Sequence, residues 1–209
     1  MPRTDAFEKH TEAYDNWFEQ RANLYRAELK AVRGVMPSPP AEGMEVGVGT
    51  GKFAVPLGIK IGVEPSEKMA ARAREQGVEV YPGIAEALPF EDGRFDVVLL
   101  VTTICFVDDI LQTFKEAFRV LKPDGCVVVG FVDSESELGR GYARNKEKSK
   151  FYSEATFFSA REVETYLKKA DFHIETIRQT LIPGEEQLTV LDGAGNGAFI
   201  VIKGIKRAD

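Results

Sequence analysis

From Asp5 to about Val35 the apolar residues Phe7, Tyr14, Trp17, Phe18, Leu24, Tyr25 and Leu29 recur at three- and four-residue steps. That is the spacing of one helix face, and it predicts one or two amphipathic helices. The run Met36-Pro37-Ser38-Pro39-Pro40 removes backbone donors and disfavours helical geometry ahead of each proline, so the helical region should end there. Between Gly43 and Val132 short apolar runs alternate with helical patterns, as βαβ units do when a parallel sheet is covered on both faces. Strands are predicted near 44–47, 59–63, 78–81, 95–101 and 126–132. Helices are predicted at 66–76, capped by Ser66 and ended by Gly77, and at 109–121, capped by Asp108 and followed by the turn Pro123-Asp124-Gly125.

Beyond Ser134 the pattern turns polar, with Arg140, Arg144, Lys146, Lys148 and Lys150 close together, and an excursion outside the sheet is predicted over 134–158. A solvated face explains those cations, and no site is assigned to them. Ser159-Ala160-Arg161-Glu162 is a capping box opening a helix to about Ala170. Phe172–Ile182 and Ala198–Ile205 read as strands, antiparallel to each other across the glycine-dense stretch 192–197. No internal repeat or second domain is visible, so one domain is expected: helices over 1–40, a sheet-forming half over 41–133, the excursion, and a closing helix with strands over 159–209.

Composition narrows the function. With 209 residues, 44% hydrophobic and 29% charged, the chain can bury a sizeable core and is neither disordered nor a coiled coil. Its two cysteines, Cys105 and Cys126, exclude a disulfide scaffold and a four-cysteine metal centre, and they fit a reducing compartment. A net charge of −6 gives no footprint for phosphate neutralisation, so nucleic acid is not an expected partner and a small-molecule substrate is. MPRTDAFEKH lacks an apolar leader, and no membrane-length apolar run occurs, so a cytoplasmic protein without a membrane partner is expected.

The chemistry concentrates in Glu45-Val46-Gly47-Val48-Gly49-Thr50-Gly51-Lys52, between a predicted strand and helix. Glycines there let the backbone turn sharply and approach a ligand, and a helix start offers unpaired N–H groups. Dinucleotide loops need glycines at positions one, three and six, but the sixth position from Gly47 is Lys52. A phosphate loop fails as well, because no Gly-Lys-Ser/Thr closes the run. A second acid, Glu64, ends the next strand in Ile61-Gly62-Val63-Glu64-Pro65-Ser66. It can accept from both hydroxyls of a ribose, or complement the dipole of the following helix.

An acid two residues before a G-x-G-x-G run resembles the first motif of class I S-adenosylmethionine-dependent methyltransferases. That ligand carries an ammonium and a sulfonium but no phosphate, which suits a carboxylate beside the loop. The later segments Gly83–Phe90, Phe95–Leu99 and Phe118–Gly125 are similar, in order and spacing, to the small-molecule group related to ubiquinone and menaquinone biosynthesis enzymes. The resemblance implies a Rossmann-like α/β fold with a seven-stranded, mostly parallel sheet, one antiparallel strand, helices on both faces and an N-terminal helical lid. It implies S-adenosylmethionine as cofactor, held by Glu45, Gly47, Gly49, Gly51, Glu64, Pro65, Met69, Ala85, Glu86 and Val101. Tyr14, Trp17, Thr103 and Cys105 are the implied lid or substrate contacts, with no metal.

Three features depart from that family. Ile84 stands where relatives place an acid for the adenine amino group, Cys105 and Phe106 stand where many carry two histidines, and only 12 residues separate Gly51 from Glu64. The intervening helix must therefore be two turns or fewer, with Pro56 near its start. Cys105 reads either as a substrate contact or as a small buried hydrophobe, and Glu86 as an adenine-side residue or a solvated turn. His10 and His173 read as packing or surface residues. No catalytic base is identified, and methyl transfer needs chiefly alignment and exclusion of water. The expected activity is methyl transfer to a small acceptor. The same fold binding the cofactor without turnover, as a regulator or scaffold, is the alternative, and a nicotinamide-dependent enzyme is opposed by the glycine spacing.

Overall fold

The computed structural model describes residues 4–37, 42–185 and 188–207. Of the proline run predicted to end the helical region, Ser38, Pro39 and Pro40 lie outside the described residues. Three helices, not one or two, fill the N-terminal region: α1 (Asp5–Lys9), α2 (Thr11–Gln20) and α3 (Ala22–Arg33). The chain bends at His10 (φ −129°) and Arg21 (φ −114°). Neither is a glycine or proline, so the breaks carry no compositional signal.

The strands are β1 (Gly43–Val46), β2 (Ile61–Val63), β3 (Glu79–Tyr81), β4 (Phe95–Val101), β5 (Leu121–Val132), β6 (His173–Thr180), β7 (Leu191–Asp192) and β8 (Phe199–Ile205). They form one sheet in the order β3-β2-β1-β4-β5-β8-β6-β7. The first five are parallel, and β8 enters antiparallel between β5 and β6. The sheet has eight strands rather than seven, and β7 adds a second antiparallel strand at the edge. Both residues of β7 are exposed, so no hydrophobic alternation marks it; Arg178 pairs with Asp192, and the Gln179 amide donates to the Asp192 carbonyl at 2.9 Å.

Side chains alternate across β4. Val98 and Leu100 join Phe114, Val129, Leu167 and Ile202 on one face, while Val97 and Leu99 join Ala31, Val32, Phe53, Ala73 and Val201 on the other. Both faces are buried, which is why the central strands read as continuous apolar runs.

Helices α4 (Ala54–Leu57), α5 (Glu67–Glu75), α6 (Ile110–Val120), α7 (Glu137–Asn145) and α8 (Ala160–Lys169) complete the domain. The capping box at Ser159 and Glu162 forms, and the Ser66 hydroxyl accepts from the Met69 amide at 3.3 Å. The cap of α6 is Asp109, not Asp108: Asp109 is extended and accepts from the Gln112 amide at 3.0 Å, so the helix starts one residue later. The turn Pro123-Asp124-Gly125 lies within β5, where Asp124 adopts φ 61°. Helix α4 is a single turn containing Pro56, ended by Gly58 at φ 76°. The excursion after Ser134 is partly helical, as α7.

Strand order reverses at β1, which pairs with β2 on one side and β4 on the other. Ligands of such sheets bind outside the carboxyl ends of the strands at this point. The segments after β1, β2 and β4 converge there.

Candidate active site

A cavity of about 200 Å³ opens over these strand ends, against about 20 Å³ for a neighbouring one, so only the first has room for a nucleoside-sized ligand. Its floor is the loop after β1. The Gly47 and Val48 amides both donate to the Val63 carbonyl, at 2.8 and 3.1 Å, which fixes the loop to β2. Gly47 and Gly49 adopt φ 67° and 57°, conformations glycine enters without strain. A Cβ on Gly47 would lie 2.6 Å from Thr103 Cγ2, and one on Gly49 would lie 3.2 Å from the Tyr14 hydroxyl.

Glu64, at the end of β2, accepts from the Gly49 amide through Oε2 and from the Ser66 amide through Oε1, both at 2.9 Å. Burial pushes its carboxyl up to about 7, partly opposed by those two amides. Glu45 lies deeper, 2% exposed, with Oε2 lacking a hydrogen-bond partner among the described residues. Burial holds its carboxyl well above the usual range, and the Glu64 charge adds to the shift.

Helices α1–α3 close the roof and fasten it to the floor. Asp15 accepts from the Thr50 hydroxyl at 2.7 Å and pairs with Lys52 at 3.1 Å; the Tyr25 hydroxyl donates to the Lys52 carbonyl at 2.5 Å. Glu8 accepts from the Ser66 hydroxyl at 2.7 Å, which draws its carboxyl below the ordinary value.

The far end of the cavity is aromatic. Phe7 packs against Phe106 edge-on at 5.0 Å and stacks on Phe151 at 5.5 Å; Tyr142 stacks on Tyr152 at 5.1 Å. Glu28, 5% exposed, is the acid of that end, and burial lifts its carboxyl to about 8. Burial also raises the Tyr14 and Tyr152 hydroxyls, and Glu28 adds to both shifts. Thr102, at the mouth after β4, has φ 53°, a costly conformation for a β-branched residue of the kind held at functional sites.

Residues 44–129 match a family model described as a methyltransferase domain. An uncharacterized protein of Methanocaldococcus jannaschii is 39% identical over 97% of this chain and 99% of its own length. A crystal structure from Thermotoga maritima, described as an S-adenosylmethionine-dependent methyltransferase and possible histamine N-methyltransferase, is 48% identical, covers 98% of this chain and 100% of its own, and superposes with a TM-score of 0.93. This chain belongs to the S-adenosylmethionine-dependent methyltransferases. The demethylmenaquinone methyltransferase of Bacillus mycoides is more distant, 32% identical over 59% of each chain.

S-adenosylmethionine is the cofactor of this methyltransferase, and the floor suits it: a close-approach glycine loop, an acid at the end of β2, and no phosphate-binding lysine among the lining residues. The structure brings Gly47, Gly49, Glu64, Pro65, Met69, Ala85, Glu86, Val101, Tyr14, Trp17 and Thr103 onto one cavity wall. Glu45 and Gly51 stand behind the loop rather than on the wall. Cys105 lines the smaller cavity instead, its Sγ 3.2 Å from the Thr102 carbonyl. Glu86 sits in a half-exposed turn, and its Oε1 accepts from the Asp108 and Asp109 amides at 2.6 and 3.2 Å, fastening that turn to the start of α6. Ile84 lines the wall, and His10 packs edge-on against Phe151 at 6.3 Å. His173 is exposed at the start of β6.

Sequence reasoning missed Glu28, Phe7, Phe106, Tyr142, Phe151 and Tyr152, all on the wall. One signal was available. Tyr142, Phe151, Tyr152, Phe157 and Phe158 are dense in rings for a stretch otherwise rich in charge. No group of metal ligands occurs among the described residues, and no described helix is long and apolar enough to cross a membrane.

Proposed function

We propose that this methyltransferase methylates a small molecule held at the aromatic end of the cavity, beside the cofactor floor. The observation that carries this reading is one cavity shared by the glycine loop and a ring-lined wall from the N-terminal helices and the 134–158 excursion. Such a space accepts a compact acceptor and excludes water from the displacement. Bound S-adenosylmethionine supplies an electrophilic methyl group on a sulfonium. The protein's own residues do the rest. Glu64 accepts from the ribose hydroxyls, the Gly47–Gly51 loop receives the amino-acid end, and Glu45 stands behind it, where a bound ammonium favours its ionised form. Pro65 and Met69 flank the nucleoside. Backbone groups of Ala85 and Glu86 meet the adenine. Tyr14, Trp17 and Thr103 shape the passage to the acceptor. Histamine is the possible acceptor named for the Thermotoga protein, and the cavity wall here offers an amine of that kind carboxylates and rings.

Titration calorimetry with S-adenosylmethionine and S-adenosylhomocysteine, followed by methyl-transfer screening of cell metabolites, tests the proposal. Heat and thermal stabilisation with both ligands and a methylated small product are expected. Silence with both ligands would overturn it.

A further inference from the structure

Glu28 lies outside the glycine loop and the strand-end segments given to the cofactor above. It lies on α3, 5% exposed, and its side chain lines the ring-walled end of the cavity. No hydrogen bond or ion pair to its carboxylate forms among the described residues. An ionisable group buried without a partner costs stability unless it serves a ligand. The groups facing it electrostatically are phenols: Tyr14 from α2, Tyr25 from its own helix, Tyr142 from α7 and Tyr152 from the segment after it. Among the described residues, no lysine, arginine or histidine lines the cavity, whereas Glu28, Glu64, Glu86 and Asp108 do. Rings around one carboxylate form a site of recognisable chemistry, since aromatic faces attract cations and a desolvated carboxylate pairs with one.

We propose that Glu28 is the acceptor anchor of this enzyme, binding a small organic ammonium ion whose carbon skeleton packs among Trp17, Phe151 and Tyr152. This rests on the methyl-transfer reading above and adds to it the acceptor's charge and the residue that selects it. The empty carboxyl, raised by burial to about 8, is largely protonated at pH 7. Pairing with an ammonium ion therefore ionises it: the proton leaves for solvent, and the carboxylate and ammonium remain as an ion pair.

The test is calorimetry on the intact protein, with and without saturating S-adenosylhomocysteine, using 2-phenylethylamine and its neutral counterpart 2-phenylethanol as probes. The wild type should prefer the ammonium by about tenfold or more and release protons on binding it at pH 7, read from heats in two buffers of different ionisation enthalpy. Glu28→Gln should lose that preference and the proton release while still binding S-adenosylhomocysteine; Glu28→Asp should keep part of both. Equal affinity for the two probes, binding of neither, or an unchanged preference in Glu28→Gln would overturn the assignment. Should Glu28→Gln fail to fold, the wild-type preference and proton release decide together with Glu28→Asp. Failure of the wild type to bind S-adenosylhomocysteine would overturn the methyl-transfer reading, and the cofactor-free titration would still decide the role of Glu28.

Discussion

At the floor of the cavity nearly every group is backbone or a carboxylate with assigned partners: the loop amides on the Val63 carbonyl, and Glu64 between the Gly49 and Ser66 amides. At the aromatic end the wall is a set of ring faces from α1, α2, the 103–106 turn and the excursion, around a carboxylate without a partner among the described residues. The contrast shows how one enzyme serves two masters. A hydrogen-bonded floor admits one ligand geometry, whereas ring faces can be exchanged for others without unfolding anything. The floor should therefore fail abruptly under substitution and the roof by degrees.

Gly49→Asp is the sharpest challenge to that contrast. It places a Cβ 3.2 Å from the Tyr14 hydroxyl at φ 57° and an extra negative charge beside Glu64. Cofactor binding should fall by about a hundredfold or more in calorimetry, since strain and like charge both oppose it. A change under tenfold would mean the loop is as forgiving as the rings.

Glu64→Ala comes next, with cofactor affinity lower by roughly 10- to 100-fold, the usual worth of charge-assisted hydrogen bonds. The acid also gives the floor a pH signature. Its carboxyl, raised to about 7, is protonated in the empty site below that pH, and the proton must leave before both oxygens can accept from a diol. Affinity should drop by up to about tenfold per pH unit below 7 and level off above it. Glu64→Gln should flatten this profile; a flat wild-type profile would show that the acid stays ionised.

Phe151→Ala probes the roof. Loss of its contacts with Phe7 and Tyr14 should raise the acceptor KM by roughly 2- to 10-fold while cofactor Kd stays within about threefold. Equal loss on both ligands would erase the distinction between the two ends. Asp15→Asn should act least, speeding cofactor dissociation in stopped flow by about fivefold or less, because its partner Lys52 is partly exposed. The difference from wild type should shrink further in high salt.

These two ends also differed in how far the chain itself announced them. Gly47, Gly49 and Glu64 were legible as members of one site because a close-approach loop and an acid at a strand end call for particular residue types at particular distances along the chain. The parallel strands were legible for a similar reason, as burial on both faces leaves uninterrupted apolar runs. Glu28 was hidden, because a glutamate on an amphipathic helix looks like any solvated charge until the fold turns it inward. Tyr142 and Tyr152 sat in a stretch whose lysines and arginines masked its rings. The breaks at His10 and Arg21 and the two-residue strand β7 had no compositional mark. They arise from how distant segments pack.

Asp15 touches both Thr50 and Lys52, so the helix bearing Tyr14 and Trp17 cannot lift without disturbing the loop beneath it. Departure of the methylated product and exchange of the spent thioether are thereby mechanically linked, and the slowest event in a catalytic cycle is expected to be reopening rather than bond-making. Solvent viscosity should then govern kcat, while deuteration of the transferred group should leave it nearly unchanged.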